Sequence, residues 1–152
     1  MNSVQSLIEQ LRLVPHPEGG WYRELHRSPS RVQRQDGAER SALTAILFLL
    51  PAGAVSCWHR VIGADEAWTH VDGATLELFQ CQADGTGLQR ETLHASNPVQ
   101  VVRANVWQAA RSCGEYSLVS CCVGPGFEFC DFEMAREQPT TDSPKLPHPE
   151  LI

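Results

Sequence analysis

The stretch GAVSCWHRVIGADEAWTHVDG, Gly53 to Gly73, decides how this chain folds and where its chemistry lies. Gly53 is followed after five residues by His59, then by Val61, after four more residues by Glu66 and after six more by Gly73. Two strand-like segments, Ser56–Val61 and Glu66–Val71, flank a turn at Gly63-Ala64. Alternate residues of a strand share a face. His59 therefore shares its face with Cys57 and Val61, while Trp58 and Arg60 point the other way. Glu66, Trp68 and His70 share a face in the same manner. The turn can bring His59 and Glu66 opposite each other, either as metal ligands or as a base and the carboxylate that orients it. His70 lies roughly 13 Å beyond Glu66 at the rise of an extended strand, so it is expected to line one mouth of the fold.

Outward from this stretch the signals are almost all β. Candidate strands are Trp21–His26, Ser41–Leu50, Thr75–Gln80, Gln89–Leu93, Val99–Val102, Val106–Ala109 and Tyr116–Val123, separated by Gly, Pro, Asn and Asp turns. Many short strands at this spacing predict a sandwich or barrel. Val4, Leu7, Ile8 and Leu11 repeat as the stripe of one short amphipathic helix, with Ser3 as its N-cap and Pro15 and Pro17 beyond its end. Residues 1–137 read as a single domain, and the proline-rich tail 138–152 is expected to lie extended over the surface. The segment His26 to Arg40 is polar and can fold over a pocket mouth. The stretch Arg23 to Arg40 holds five arginines interspersed with Glu24, Asp36 and Glu39, which reads as a solvated loop and not a phosphate clamp.

With 152 residues, 42% hydrophobic and 20% charged, the chain is ordinary globular protein. A formal charge of −6 argues against nucleic acid or an anionic membrane surface as partner, because both need clustered Lys and Arg. No apolar run reaches the ~20 residues of a membrane span. Six cysteines without a C-x-x-C pair or a secretory leader read as reduced thiols in the cytoplasm. Trp68, Trp107 and Phe79 are candidate pocket walls, the aromatic surfaces that small-ligand sites favour.

The run Pro15-His-Pro-Glu-Gly-Gly-Trp-Tyr-Arg-Glu24, followed by Leu43–Leu50, Ser56–Val61, Asp65-Glu-Ala-Trp68, Trp107-Gln-Ala-Ala110 and Pro125-Gly-Phe-Glu-Phe129, resembles the small single-domain cupins of the cupin-5 family. The first motif also has the spacing G-x5-H-x-H-x4-E-x6-G, with Val61 in place of the second histidine. The resemblance implies an all-β double-stranded β-helix, the cupin jelly-roll barrel, with a short N-terminal helix, assembled as a homodimer. It also implies a role on sugars, since such barrels are similar to those of sugar-nucleotide 3,5-epimerases. The second cupin motif falls on Arg103-Ala-Asn105-Val-Trp-Gln108, where Gln108 replaces the ligand histidine, as this family usually has it. Arg103 and Asn105 depart from the family's Pro and Gly, and Thr69-His70 departs from its His followed by an aromatic residue.

Gln108 offers a neutral amide oxygen, a poor ligand beside imidazole. His59, Glu66 and Gln108 fall short of the strong donors of a catalytic zinc or iron centre, and would hold a divalent metal only weakly. Two main readings follow. One is an isomerase- or epimerase-like enzyme on a sugar or nucleotide-sugar, with His59 as base, Glu66 orienting it, and Tyr116, Tyr22 or Gln108 on the enolate oxygen. The other is a non-catalytic barrel that binds a small polar ligand through Trp68, His70, Gln108, Phe79, Tyr116 and Cys57. A metal-dependent oxygenase is a third.

Overall fold

The computed structural model describes residues 3–152. The helix α1 (Val4–Leu11) forms where the apolar stripe falls, and the Ser3 hydroxyl accepts the Ser6 N–H at 3.1 Å as its cap. It ends at Arg12, in left-handed conformation, before either proline is reached. The strands that follow are β1 (Val14–Pro15), β2 (Trp21–Arg27), β3 (Arg31–Gln33), β4 (Glu39–Ser41), β5 (Thr44–Pro51), β6 (Val55–Val61) and β7 (Asp65–Gly73). After these come β8 (Leu76–Cys81), β9 (Gln89–Leu93), β10 (Val99–Val102), β11 (Trp107–Ser112), β12 (Tyr116–Gly124) and β13 (Phe132–Met134). They build a six-stranded sheet, β1-β2-β5-β12-β7-β10, and a five-stranded sheet, β13-β6-β11-β8-β9, with every pairing antiparallel. This is the expected jelly roll.

Strands β6 and β7 belong to different sheets. The turn after Val61 carries the chain across the fold, so His59 and Glu66 approach from opposite walls and not along one ladder. A bulge adds a second correction. Gln108 pairs with His59 but Ala110 pairs with Ser56, so β6 has one residue more than β11 over this interval. The extra residue breaks strict alternation. Ser56 and His59 both reach the interior, while Cys57, expected to share the face of His59, brings its Sγ to 3.7 Å from Arg136 Nη1.

Between the sheets one half of the space is filled by Phe48, Leu50, Trp68, Leu78, Leu93 and Val119 among others, all buried. Leu7 and Ile8 of α1 cover Leu49 and Leu118 on the outside of the six-stranded sheet. Strand β5 is therefore apolar on both faces, which explains its uninterrupted run from Ala45 to Leu50.

The outer face of the five-stranded sheet is covered as well. Trp58, expected to point outward, is fully buried there with Phe79, Trp107 and Ala135. The cover comes from the tail: Leu151 is fully buried in this cluster, Trp58 Nε1 donates to the Pro147 carbonyl at 2.9 Å, and His148 packs on Phe79. The tail is thus a packed element of the molecule. Phe79 and Trp107 face it and not the interior.

The arginine-rich stretch is mostly exposed, as expected, but it is not an unanchored loop. It is a hairpin of β3 and β4 whose Arg34 and Arg40 converge on the buried Asp131, at 3.0 and 2.7 Å. Asp131 lies some ninety residues onward, beyond any local reading. At the second motif Asn105 adopts φ 70°, a backbone state that glycine takes freely and asparagine tolerates. Its Oδ1 accepts the Gly63 N–H at 3.0 Å, so the departure from glycine braces the turn between β6 and β7.

Leu151→Ala should lower unfolding free energy by about 2–4 kcal/mol in urea denaturation, the cost of a large buried side chain and its cavity. A change within about 0.5 kcal/mol, as at a surface position, would contradict the packing of the tail.

Candidate functional site

The half of the interior not filled by the core is a cavity of about 260 Å³. Its polar floor is built from two sources. Strands β6 and β7 supply His59 and Glu66, and the loop between β1 and β2 supplies His16 and Glu18. That loop must press close to the sheets. Gly19 (φ +106°) passes the Val55 carbonyl so tightly that a Cβ would lie 2.1 Å from its oxygen, and Gly20 (φ +71°) does the same against Leu49 and Phe48. Only glycine meets both demands. The pair Gly19-Gly20 is what lets His16 and Glu18 enter the fold.

His59 Nδ1 lies 2.7 Å from the Cys57 carbonyl oxygen and 2.8 Å from Glu18 Oε2. Both partners are acceptors, so Nδ1 carries the hydrogen and Nε2 is the ring's uncommitted nitrogen. Glu18, not Glu66, is the carboxylate that orients this imidazole. Ser56 Oγ also donates to Glu18 Oε2 at 2.9 Å. Burial disfavours the charge on each partner of the pair, but their mutual attraction and these hydrogen bonds outweigh it. Glu18 is held below the usual glutamate range and His59 above the usual histidine range.

His16 takes the opposite course. Its Nδ1 accepts the Glu18 backbone N–H at 3.1 Å, which places its hydrogen on Nε2. Burial, only partly offset by Glu18, lowers its basicity and keeps it neutral. Its ring is packed edge-on by Tyr22 at 4.6 Å and by Phe48 and Phe132 at 5.8 Å.

Glu66 is the least comfortable charge in the cavity. Burial drives its pKa up to about 7, with Glu18 adding to the rise and His59 opposing it. Gln108 Nε2 donates to Glu66 Oε1 at 2.8 Å, and Gln108 Oε1 accepts the Trp68 indole N–H at 2.8 Å. Gln108 is the cross-strand neighbour of His59 in the five-stranded sheet. It therefore bridges the two walls and fixes the orientation of Glu66.

Metal binding is common in this fold, but the donor set here does not suit it. Gln108 turns an N–H toward Glu66 and gives its oxygen to Trp68, so His59, Glu66 and Gln108 do not converge as ligands on one ion. Val61 stands where a second histidine would be. Among the described residues no three His, Cys, Asp or Glu side chains gather as a metal set. The residues do not fit a transition-metal centre.

Of the other residues read from the sequence, Trp68 sits in the filled half of the core, edge-on to Phe48 at 5.9 Å. Its polar link to the site is the hydrogen bond to Gln108. His70 lies away from the cavity, its Nε2 3.3 Å from the Ala74 carbonyl oxygen. Tyr116 donates to Asp72 Oδ2 at 2.8 Å on the surface, whereas Tyr22, the other tyrosine weighed, lines the cavity. Phe79 and Cys57 face away from it, for the reasons given above. Strand alternation singles out neither His16 nor Glu18. The signal that could have found them is the two glycines that follow a His-Pro-Glu sequence.

The mouth is rimmed by Phe127, Phe129 and Phe132, packed edge to face with centroids 5.0 to 6.1 Å apart, and by Glu24, Arg27 and Glu128. Arg27 owes its place to a bulge in β2. Glu24 pairs with Ile46 and His26 with Ala45, so the register slips at Leu25 and Arg27 joins Tyr22 and Glu24 on the cavity side.

Two solved structures share both fold and sequence with this chain. A hypothetical protein from Leishmania major is 32% identical, with a TM-score of 0.80 over 87% of this chain and 86% of that one. A protein from Shewanella oneidensis is 33% identical, with a TM-score of 0.78 over 88% and 85%. The L-ribose isomerase of Cellulomonas parahominis, solved with L-psicose, is similar in fold alone: 15% identity, TM-score 0.57, covering 80% of this chain and 79% of that one. A comparison with curated proteins gives no match. No helix among the described residues is long and apolar enough to cross a membrane. The family model described as Cupin superfamily (DUF985) matches residues 5–135, and the chain belongs to that family, cupin-5.

Proposed function

We propose that this protein is an isomerase- or epimerase-type enzyme that moves a proton next to the carbonyl of a small sugar-like compound. The observation that carries the reading is the pairing of two proton-exchanging groups on opposite walls of one cavity. His59 has Nδ1 fixed by Glu18 and Nε2 uncommitted, and Glu66 titrates near neutrality. General acid–base catalysis works best with groups whose pKa lies near the working pH.

The pair works with one proton between its members. Neutral His59 Nε2 takes the proton from the carbon next to the carbonyl, while protonated Glu66 gives one to the carbonyl oxygen. The product of this step is an enediol, with the imidazolium held by Glu18 and Glu66 now ionised. Return of the proton from His59 to carbon, with Glu66 taking one from the enediol oxygen, completes the isomerisation and restores both groups. Glu18 stabilises the imidazolium that forms between the steps, and Gln108 keeps Glu66 pointed at the ligand. The similarity in fold to an L-ribose isomerase supports this class of substrate by analogy alone. A homodimer, which follows the resemblance stated above, and a cytoplasmic location, which follows the unpaired cysteines, are part of the same proposal.

Proton abstraction can be read without knowing the product. Small aldoses and ketoses incubated with the protein in D2O should gain deuterium at the carbon next to the carbonyl, followed by proton NMR. His59→Gln and Glu66→Gln should each slow the exchange by about 10²–10⁴-fold. The rate should be bell-shaped in pH, falling when the pair holds two protons and when it holds none. A ligand that binds with no exchange at all would replace the enzyme reading with that of a binding barrel.

Stability gives a second check. Glu66 has a folded pKa of about 7 against 4.5 for an ordinary glutamate. Its ionisation therefore opposes folding, with no effect below 4.5 and the full effect above 7. Glu66→Gln should stabilise the protein at pH 8, by up to about 3 kcal/mol, and the gain should vanish at pH 4. Destabilisation by this substitution at pH 8 would contradict the buried, strained charge of Glu66.

A further inference from the structure

Among the described residues Arg27 is the one arginine or lysine side chain that lines the cavity, and two carboxylates already hold it. Its Nε and Nη2 bond Glu24 Oε1 at 3.1 and 2.7 Å, and its Nη1 bonds Glu128 Oε1 at 3.0 Å and the Phe127 carbonyl at 3.1 Å. Phosphate or carboxylate recognition needs a guanidinium with free N–H groups set in a fork. Here the fork is closed from both sides. An anion beside Arg27 is also beside Glu24 and Glu128, and within the cavity it meets Glu18 and Glu66.

The size of the cavity points the same way. About 260 Å³ is below the roughly 300–1,000 Å³ typical of sites for drug-sized ligands. There is room inside for one small ring or short chain, so an attached nucleotide would have to lie outside the mouth, beside Glu24 and Glu128. The rim of Phe127, Phe129 and Phe132 offers apolar faces to the C–H surface of such a molecule.

We infer that Glu24 and Glu128 are specificity-determining residues: they lock Arg27 as a strut of the rim and exclude anionic ligands. The site then takes small, neutral, unphosphorylated hydroxylated carbonyl compounds, and neither sugar phosphates nor nucleotide-sugars. This rests on the proposed reading of the cavity as the ligand site and narrows its substrate class.

Inorganic phosphate is a sufficient probe, because it tests the charge filter without turnover. Its titration by calorimetry at low ionic strength, where exposed charges are least screened, compares the wild type with Glu24→Gln/Glu128→Gln. The wild type should show no saturable binding. The double variant should bind phosphate at least roughly tenfold more tightly, the scale expected from removing two like charges beside the anion. Arg27→Gln added to that variant should abolish the gain. Glu128→Gln alone, at a half-exposed position, should show a smaller gain of the same sign and serves if the double variant fails to fold.

Phosphate binding by the wild type as tight as by the double variant would overturn the inference. So would binding in the double variant that survives the loss of Arg27. Loss of deuterium exchange on neutral sugars with this phosphate pattern intact would remove the isomerase reading and leave the filter standing.

Discussion

The contact between Glu18 and His59 is the interaction on which the site depends. It joins a loop next to the N-terminal helix to strand β6 of the five-stranded sheet, and it does so in a buried place. Removing two charges from water costs several kcal/mol each unless geometry and further hydrogen bonds compensate. The compensation is visible: a 2.8 Å contact, a serine hydroxyl on the carboxylate and a backbone carbonyl on the imidazole. Two consequences follow from this one pair. The neutral imidazole is fixed in a single tautomer, with Nδ1 committed to two acceptors and Nε2 left uncommitted. The negative charge of Glu18 also adds to the burial that drives the Glu66 pKa up to about 7, against the opposing pull of His59.

The rest of the fold keeps this arrangement in place by filling everything around it. The interior is divided, with a dense core on one side and a cavity on the other. Gln108 stands at the boundary, bonded to Trp68 in the core and to Glu66 in the cavity. The outer faces of both sheets are covered, one by α1 and the other by the tail. The β3–β4 hairpin is clamped to Asp131 by Arg34 and Arg40, which steadies the segment that carries Phe129 and Phe132. The rim of the cavity thus has a buried anchor.

Much of this was legible in the residues. The apolar stripe of α1, the alternating strands and the turn glycines follow local rules, and the nine strands read from them are present with shifts of a few residues at their ends. The spacing of His59 and Glu66 was informative because it matches a motif, not because of strand pairing, since the two lie in different sheets. What escaped depended on geometry that only the folded chain defines. One extra residue in β6 turned Cys57 away, and one in β2 exchanged His26 for Arg27 at the mouth. Phe79 and Trp107 look like pocket walls in isolation, but a buried aromatic serves equally well beneath a tail. Asp131 draws two arginines out of solvent from ninety residues away. Glu18 needed the positive φ of Gly19 and Gly20 to reach the interior at all.

The central claim is that His59 holds its hydrogen on Nδ1 toward Glu18 and meets the ligand through Nε2. Nitrogen-15 NMR of the histidine ring, followed across pH in the wild type and in Glu18→Gln, measures this directly. The expected result is an Nδ1–H tautomer in the neutral form, with a protonation midpoint above that of an ordinary histidine that falls when Glu18 loses its charge. An Nε2–H tautomer, or a midpoint indifferent to Glu18, would contradict the account.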